Sequence, residues 1–290
     1  MNAFNPAQLD RAAIRRAFDR AAAGYDAVAV LQREVGARLL ERLDFTTLKP
    51  ARILDAGAGT GFATRALAER YPAAQVVALD LAEGMVARAS GERTCGDIEA
   101  LPFADGTFDL VFSNLALQWL DTPRRAFEEF RRVLKQHGLL IFSTFGPDTL
   151  KELRAAWVEV DAAPHVSRFI DMHEIGDALV QATFAEPVID VERITLTYMN
   201  VGGLLHDLKT LGAHNAVAGR SRGLTGKARY AQFTRAYEKH RTDGRLPATW
   251  ELVYGTAWAP LPLERVVLAQ QGEIAPDELR RMLKRERHGD

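Results

Sequence analysis

The chain has 290 residues, of which 47% are hydrophobic and 26% are charged, a composition typical of one enlarged globular domain or two small ones. A net charge of −1 gives no global positive field for nucleic acid, and a single cysteine excludes an internal disulfide and a thiolate metal cluster. The single cysteine also suits a reducing compartment, so we expect a cytoplasmic protein. Because no run of about 18 uncharged apolar residues occurs, we expect no membrane insertion.

The first predicted elements are helices. Apolar residues recur at helical spacing between positions 8 and 43, and Gly24 separates two groups of them. This pattern predicts two helices, which we assign to an N-terminal helical cap over residues 1–47.

From Arg52 onward, short apolar runs alternate with segments of helical pattern, as in RILDAG, AQVVALD, FDLVFSNLAL and GLLIFSTF. Buried strands that alternate with helices are typical of a doubly wound α/β fold with a mostly parallel sheet. A short strand before Asp97 and the later runs PVIDVERITLTYM and TWELVYGTAWAP complete seven predicted strands. We place the α/β core in residues 48–200 and its final strand and tail in residues 246–290. The glycine-punctuated helical insertion between them, residues 201–245, is a candidate lid.

Three glycines follow the first predicted strand in the stretch LDAGAGTGFATRAL. Gly57, Gly59 and Gly61 permit positive φ and let a ligand touch the backbone, at the strand end where open α/β sheets bind ligands. Residue 62 is Phe, so the spacing G-x-G-x-x-G of dinucleotide sites is not met. The turn therefore indicates a ligand other than a dinucleotide, or simply a tight connection between a strand and a helix.

Two aspartates follow the next two predicted strands. Asp80 is placed where a carboxylate can accept both hydroxyl hydrogens of a ribose, and it can also cap the helix through Met85. Asp97 with its apolar neighbour Ile98 suits adenine, whose amino group donates while its ring is packed. Alone, Asp97 is equally suited to capping a turn.

Taken together, these motifs resemble the class I S-adenosylmethionine-dependent methyltransferases, with a Rossmann-like fold, over residues 50–145. The resemblance implies S-adenosylmethionine as the cofactor, with Asp55 and the glycine loop facing its methionine part and Asp80 holding its ribose. The other cofactor contacts that it implies are Leu81, with Met85, Asp97 and Ile98 around adenine, and Asn114, Leu115 and Ala116 at the methyl-transfer pocket.

Three flanking stretches narrow the resemblance. FDRAAAGYDAVAVLQ (18–32), the segment from SNLALQW to ELRAAW (113–157) and LLHDLKTLGAHNAVAG (204–219) are similar to the malonyl-acyl carrier protein O-methyltransferases of biotin synthesis. This family implies methylation of the free carboxylate of malonyl-acyl carrier protein, an acidic partner. A basic docking patch for that partner is expected from Arg220, Arg222, Lys227 and Arg229.

The chemistry of such a reaction sets what the site must contain. A malonyl carboxylate is ionised at neutral pH and a sulfonium is an activated methyl donor, so the reaction needs no general base. Alignment of the carboxylate oxygen, the methyl carbon and the sulfur can supply the catalysis. We expect a hydrogen-bond donor or cation to orient the carboxylate, although each candidate is also a residue type common in cores, on surfaces or in turns. The candidates are Tyr25, Lys209, His214 and Arg222. The seven histidines show no metal-ligand spacing, so no metal site is expected.

Other functions remain open from the sequence. FDRAAAGYD and FGPDTLKELRAAW also resemble the complex I assembly factors that hydroxylate an arginine of a partner protein. A quinone-precursor C-methyltransferase would need a base for a weakly acidic carbon. An adenosyl-binding scaffold without catalytic activity would share the residues from Asp55 through Asp97.

Overall fold

In the computed structural model, which describes residues 9–211, 217 and 225–260, the fold is built on a seven-stranded sheet. The strands are β1 (Arg52–Ala56), β2 (Gln75–Asp80), β3 (Glu92–Cys95), β4 (Phe108–Asn114), β5 (Leu134–Phe145), β6 (Ala185–Tyr198) and β7 (Leu246–Trp258). Their order across the sheet is β3-β2-β1-β4-β5-β7-β6, and only the pairings of β7 with β5 and β6 are antiparallel among the described strands. The predicted doubly wound, mostly parallel seven-stranded fold is confirmed.

Helices cover both faces of this sheet and precede it. They are α1 (Arg11–Ala21), α2 (Tyr25–Val28), α3 (Val30–Glu41), α4 (Phe62–Arg70), α5 (Glu83–Val86), α6 (Arg124–Val133), α7 (Lys151–Val158), α8 (Met172–Gln181), α9 (Val201–Thr210) and α10 (Lys227–Glu238). The N-terminal region differs from the predicted pair of helices, because Ala29 has φ −78° and ψ 43° and separates α2 from α3.

Two hydrophobic clusters lie on opposite faces of the sheet. Ile53 belongs to the cluster under α3, α4 and α7, and its neighbour Leu54 belongs to the cluster under α6 and α8. Both side chains are fully buried, since successive residues of a strand point to opposite faces. Burial on both faces explains why the predicted strands are continuous apolar runs.

The carboxyl ends of the parallel strands form one edge where the connecting loops meet. Gly57 N and Ala58 N donate to Leu79 O at 2.8 and 2.9 Å, which ties the loop after β1 to the end of β2. Phe145 at the end of β5 pairs with Leu252, so the first half of the antiparallel β7 reaches the same edge. The strand order therefore fixes which loops are neighbours along this edge.

The predicted insertion begins after β6 and contains α9 and α10 before β7. Its closure as a lid, and the division of the chain into cap, core and insertion, stay predictions. Among the described residues, no helix is both long enough and apolar enough to cross a membrane.

Candidate active site

A cavity opens at the carboxyl edge of the sheet, and α1, α2 and α3 supply part of its wall. We call it the central cavity. The predicted cofactor residues that line it are Asp55, Gly57, Gly59, Asp80, Leu81, Met85, Asp97, Ile98, Asn114, Leu115 and Ala116. The fold thus brings together side chains that follow four different strands.

The three glycines of the loop after β1 have different roles. A Cβ at Gly57 would lie 2.4 Å from Ala116 Cβ, and one at Gly61 would lie 2.7 Å from Ala89 Cα. At Gly59, with φ +55°, no atom lies within 4 Å of the corresponding position, which faces open space. Gly61 does not line the central cavity and packs closely against Ala89, and its predicted ligand contact stays a prediction. Gly59 is the position that leaves room for a ligand.

The Asp80 carboxylate is held by two backbone donors. Gly59 N donates to Oδ2 and Ala82 N donates to Oδ1, both at 2.9 Å. Burial raises the pKa of Asp80 above its ordinary value, although the two hydrogen bonds act in the opposite direction and lower it. Each carboxylate oxygen can accept a second hydrogen bond, so the cap and a bound diol are compatible roles for this side chain.

Asp55 is a buried carboxylate at the end of β1, with 1% of its surface exposed. Thr64 Oγ1 donates to its Oδ2 at 2.6 Å. Burial, reinforced by the negative charge of Asp80, raises the pKa of Asp55 to about 7. A cationic group of a ligand would offset this cost, since an opposite charge nearby favours the ionised carboxylate. The position therefore suits a ligand that carries an ammonium group.

Asp97 is engaged by the N-terminal helix. Its Oδ1 accepts from Arg11 Nη2 at 2.7 Å and from Glu99 N at 2.8 Å, and Arg11 also forms an ion pair with Glu99. The turn cap considered from the sequence is therefore present, together with a contact to α1 that the sequence did not indicate.

The N-terminal helices are attached to the segments that follow β3, β2 and β1. The contacts join Arg11 Nη2 to Asp97 Oδ1 at 2.7 Å, Gly84 N to Asp19 Oδ1 at 2.9 Å, and Thr60 Oγ1 to Asp26 Oδ1 at 2.6 Å. Together they position α1 and α2 against the part of the cavity that follows β1, β2 and β3. A ligand bound there would be covered by these helices.

Tyr25 lines the central cavity, and its ring centroid lies 6.5 Å from that of Phe18. Burial raises the pKa of Tyr25 well above its ordinary range, and the charges of Asp80 and Asp26 raise it further. Its hydroxyl therefore remains protonated at neutral pH and can donate a hydrogen bond, but it does not act as a base.

The structure does not bring the other described candidate for carboxylate binding to the cavity. Lys209 is exposed in the last turn of α9, whose buried face is defined by Val201 and Leu204, and it is absent from the cavity lining. His214 and Arg222 lie outside the described residues, as does Arg220. Of the predicted docking patch, Lys227 is exposed and Arg229 pairs with Asp161.

Comparison with known proteins identifies the family. A model described as "Methyltransferase domain" matches residues 54–142. The malonyl-[acyl-carrier protein] O-methyltransferase of Gallionella capsiferriformans is 56% identical over 89% of this chain and 94% of its own, and that of Laribacter hongkongensis is 54% identical over 87% and 90%. The chain belongs to the malonyl-[acyl-carrier protein] O-methyltransferase family. The resemblance inferred from the sequence is confirmed.

A solved structure agrees on the fold. The YcgJ protein of Bacillus subtilis superposes with a TM-score of 0.56 at 18% identity, covering 77% of this chain and 98% of its own. Because the chain belongs to the malonyl-[acyl-carrier protein] O-methyltransferase family, S-adenosylmethionine is its methyl donor. The predicted contacts of Asp55 with its ammonium group, of Asp80 with its ribose and of Gly59 with the ligand stay predictions, and the burial, hydrogen bonds and open space at these residues are compatible with them.

The affinity of this methyltransferase for S-adenosylmethionine is expected to fall by about tenfold between pH 7 and pH 5.5. The pKa of Asp55 is raised to about 7, so acid protonates the carboxylate and removes the charge that meets the ligand's ammonium. The α-amino group itself stays protonated over this range, since its ordinary pKa is about 7.7–8.0. Calorimetric titration at several pH values measures the effect.

The control for this pH dependence is Asp55→Asn, which keeps an acceptor for Thr64 Oγ1. It should bind the ligand weakly and with little change between the two pH values. A wild-type affinity that stays constant with pH would contradict the role of Asp55.

Among the cavity-lining residues that the sequence did not assign to the site are Gln32, Gln118, Phe145 and Trp250. Gln118 Nε2 donates to Leu115 O at 2.6 Å, and the backbone of Leu115 has φ +49°. Leu115 N donates to Ser143 Oγ and Ser143 O, both at 3.1 Å, so hydrogen bonds from two sides hold this strained backbone in place. The stretches around Gln32 and Gln118 gave a signal in the sequence through the family resemblance, whereas Trp250 gave none.

Proposed function

We propose that this methyltransferase transfers the methyl group of S-adenosylmethionine to the free carboxylate of malonyl-acyl carrier protein, giving the methyl ester that starts biotin synthesis. The observation that carries the proposal is one cavity that is lined by Asp55, Gly59 and Asp80 and also by the uncharged residues Gln32, Asn114 and Trp250. Relatives with that name match nearly the whole chain, which favours this reaction over arginine hydroxylation and quinone C-methylation. The free, exposed Cys95 fits a cytoplasmic enzyme.

The reaction requires alignment and no proton transfer. A carboxylate oxygen forms the new bond to the methyl carbon, and the electron pair of the breaking carbon–sulfur bond stays on sulfur. When bound, S-adenosylmethionine supplies the activated methyl group. The protein's tasks are to hold the two reactants in line and to exclude water, and the cover formed by α1 and α2 serves both.

The carrier protein is expected to dock through exposed basic residues near the cavity. Arg15 on α1 is exposed and lines the cavity, and Lys227 at the start of α10 is exposed. Basic side chains at such positions would attract an acidic partner and orient its approach.

Incubation of the purified enzyme with methyl-labelled S-adenosylmethionine and malonyl-acyl carrier protein tests the proposed function. Intact-mass spectrometry should show a gain of one methyl group on the malonyl carrier protein. Acetyl-carrier protein, which lacks the free carboxylate, should remain unchanged. No transfer to the malonyl form by an enzyme that binds S-adenosylmethionine in the same sample would refute the proposal.

A further inference from the structure

Two residues that line the central cavity each carry a buried polar atom that has no hydrogen-bond partner among the described residues. The two atoms are Trp250 Nε1 on β7 and Gln32 Oε1 on α3. Trp250 is 4% exposed, and its ring centroid lies 5.1 Å from that of Phe145. A buried polar atom without a partner destabilises the folded protein, so a ligand that completes the hydrogen bonding is the natural explanation.

The position of these atoms follows from the strand order. Residues after β3, β2 and β1 are assigned to adenine, ribose and methionine, and β4, β5 and β7 follow along the same edge. Asn114, at the end of β4, donates from Nδ2 to the backbone carbonyl of Gln32 at 3.0 Å. Trp250 and Gln32 therefore lie in the part of the cavity beyond the cofactor residues, on the side left for the methyl acceptor.

We propose that Trp250 and Gln32 form the subsite that holds the free carboxylate of the acceptor, an inference that rests on the proposed function. The indole N–H donates to one carboxylate oxygen. The Gln32 amide donates to the other from its NH₂ group, because a half-turn of the amide exchanges its oxygen and nitrogen.

This subsite uses neutral donors. The known neighbours of Trp250 and Gln32 in the cavity lining are uncharged, since Phe145 packs against Trp250 and Asn114 donates to the backbone carbonyl of Gln32. Of the arginines that line the cavity, Arg11 pairs with Asp97 and Glu99, and Arg33 Nη1 donates to Asp26 O. The third, Arg15, lies on α1 with Arg11.

Neutral donors suit the chemistry of this reaction. A carboxylate anion and a sulfonium cation become a neutral ester and a neutral thioether, so charge disappears on the way to the transition state. A guanidinium or ammonium bound to the carboxylate would stabilise the reactant more than the transition state and would slow transfer. Indole and amide groups in an apolar pocket orient the carboxylate but stabilise the reactant less than a cation would, so they slow the transfer less.

Binding of malonyl- and acetyl-carrier proteins to the enzyme saturated with S-adenosylhomocysteine tests the subsite, because no transfer occurs. Docking contacts are common to both partners, so the ratio of their affinities reports the carboxylate alone. Trp250→Phe keeps the ring and removes the donor, and it should lower the preference for the malonyl form by about tenfold or more. Gln32→Glu places a second carboxylate there and should also lower the preference.

Tyr254→Phe is the matched control. Tyr254 Oη is also buried on β7 without a partner among the described residues, but Tyr254 does not line the cavity. This variant should keep the wild-type preference, and all variants should bind S-adenosylhomocysteine with unchanged affinity.

The outcomes separate the two proposals. If the wild-type enzyme binds malonyl- and acetyl-carrier proteins equally, the proposed function fails and the subsite fails with it. If the wild type prefers the malonyl form and both Trp250→Phe and Gln32→Glu retain that preference, the subsite alone is wrong. Should Trp250→Phe fail to fold, Gln32→Glu decides.

Discussion

Asp80→Ala is expected to weaken the binding of S-adenosylmethionine by about 10- to 150-fold. Removal of the carboxylate eliminates charge-assisted hydrogen bonds to the ribose, each worth about 1.5–3 kcal/mol, and every 1.4 kcal/mol corresponds to a factor of ten in affinity. The substitution also leaves Gly59 N and Ala82 N without their acceptor, so the loop after β1 loses its anchor. Calorimetric titration with S-adenosylhomocysteine and S-adenosylmethionine measures the loss.

Asp109→Ala provides a control for this loss of a backbone-capping carboxylate. Asp109 Oδ2 accepts from Ala51 N and Arg52 N at 2.9 and 2.8 Å, but this side chain does not line the central cavity. The control should lower the free energy of unfolding and leave cofactor affinity unchanged. Equal cofactor affinities for Asp80→Ala and the wild type would show that the ribose lies elsewhere.

The fold and the cofactor side of the site were predictable because their signals are local in the sequence. Strand, turn and helix follow one another within a short segment, so the glycine loop after β1 and the placement of Asp80 at the end of β2 could be read from neighbouring residues. Residues that follow adjacent parallel strands necessarily meet at one edge. The strand pattern therefore implied that Asp55, Asp80 and Asp97 share a cavity.

The acceptor side of the site could not be predicted in the same way, because it is assembled from distant segments. Gln32 precedes the sheet and Trp250 lies on its last strand. The family resemblance includes the stretch that ends at Gln32, but it does not show that this residue meets Trp250 in one cavity. The contact between Arg11 and Asp97 joins residues 86 positions apart. Lys209 does not line the cavity. The sequence could not indicate this, because the direction in which a residue of α9 points is known only once the buried face of that helix is known.

Gly59→Ala is expected to weaken S-adenosylmethionine binding by about 5- to 150-fold with a modest loss of stability. A methyl group at this position meets no protein atom within 4 Å, so it projects into open space beside the ligand. Crowding a packed contact by one carbon costs about 1–3 kcal/mol, which gives the expected range. Titration calorimetry and thermal unfolding measure the two effects separately.

Gly106→Ala is matched to this variant in backbone cost. Gly106 has φ +58° against +55° at Gly59, and it too has no atom within 4 Å of the added carbon, but it does not line the cavity. Both variants should therefore lose about 1–2 kcal/mol of stability from the left-handed backbone conformation alone. Only Gly59→Ala should also lose cofactor affinity. Equal cofactor affinity in the two variants would mean that the open space beside Gly59 is not where the ligand approaches the loop, and that its glycine is required for chain geometry alone.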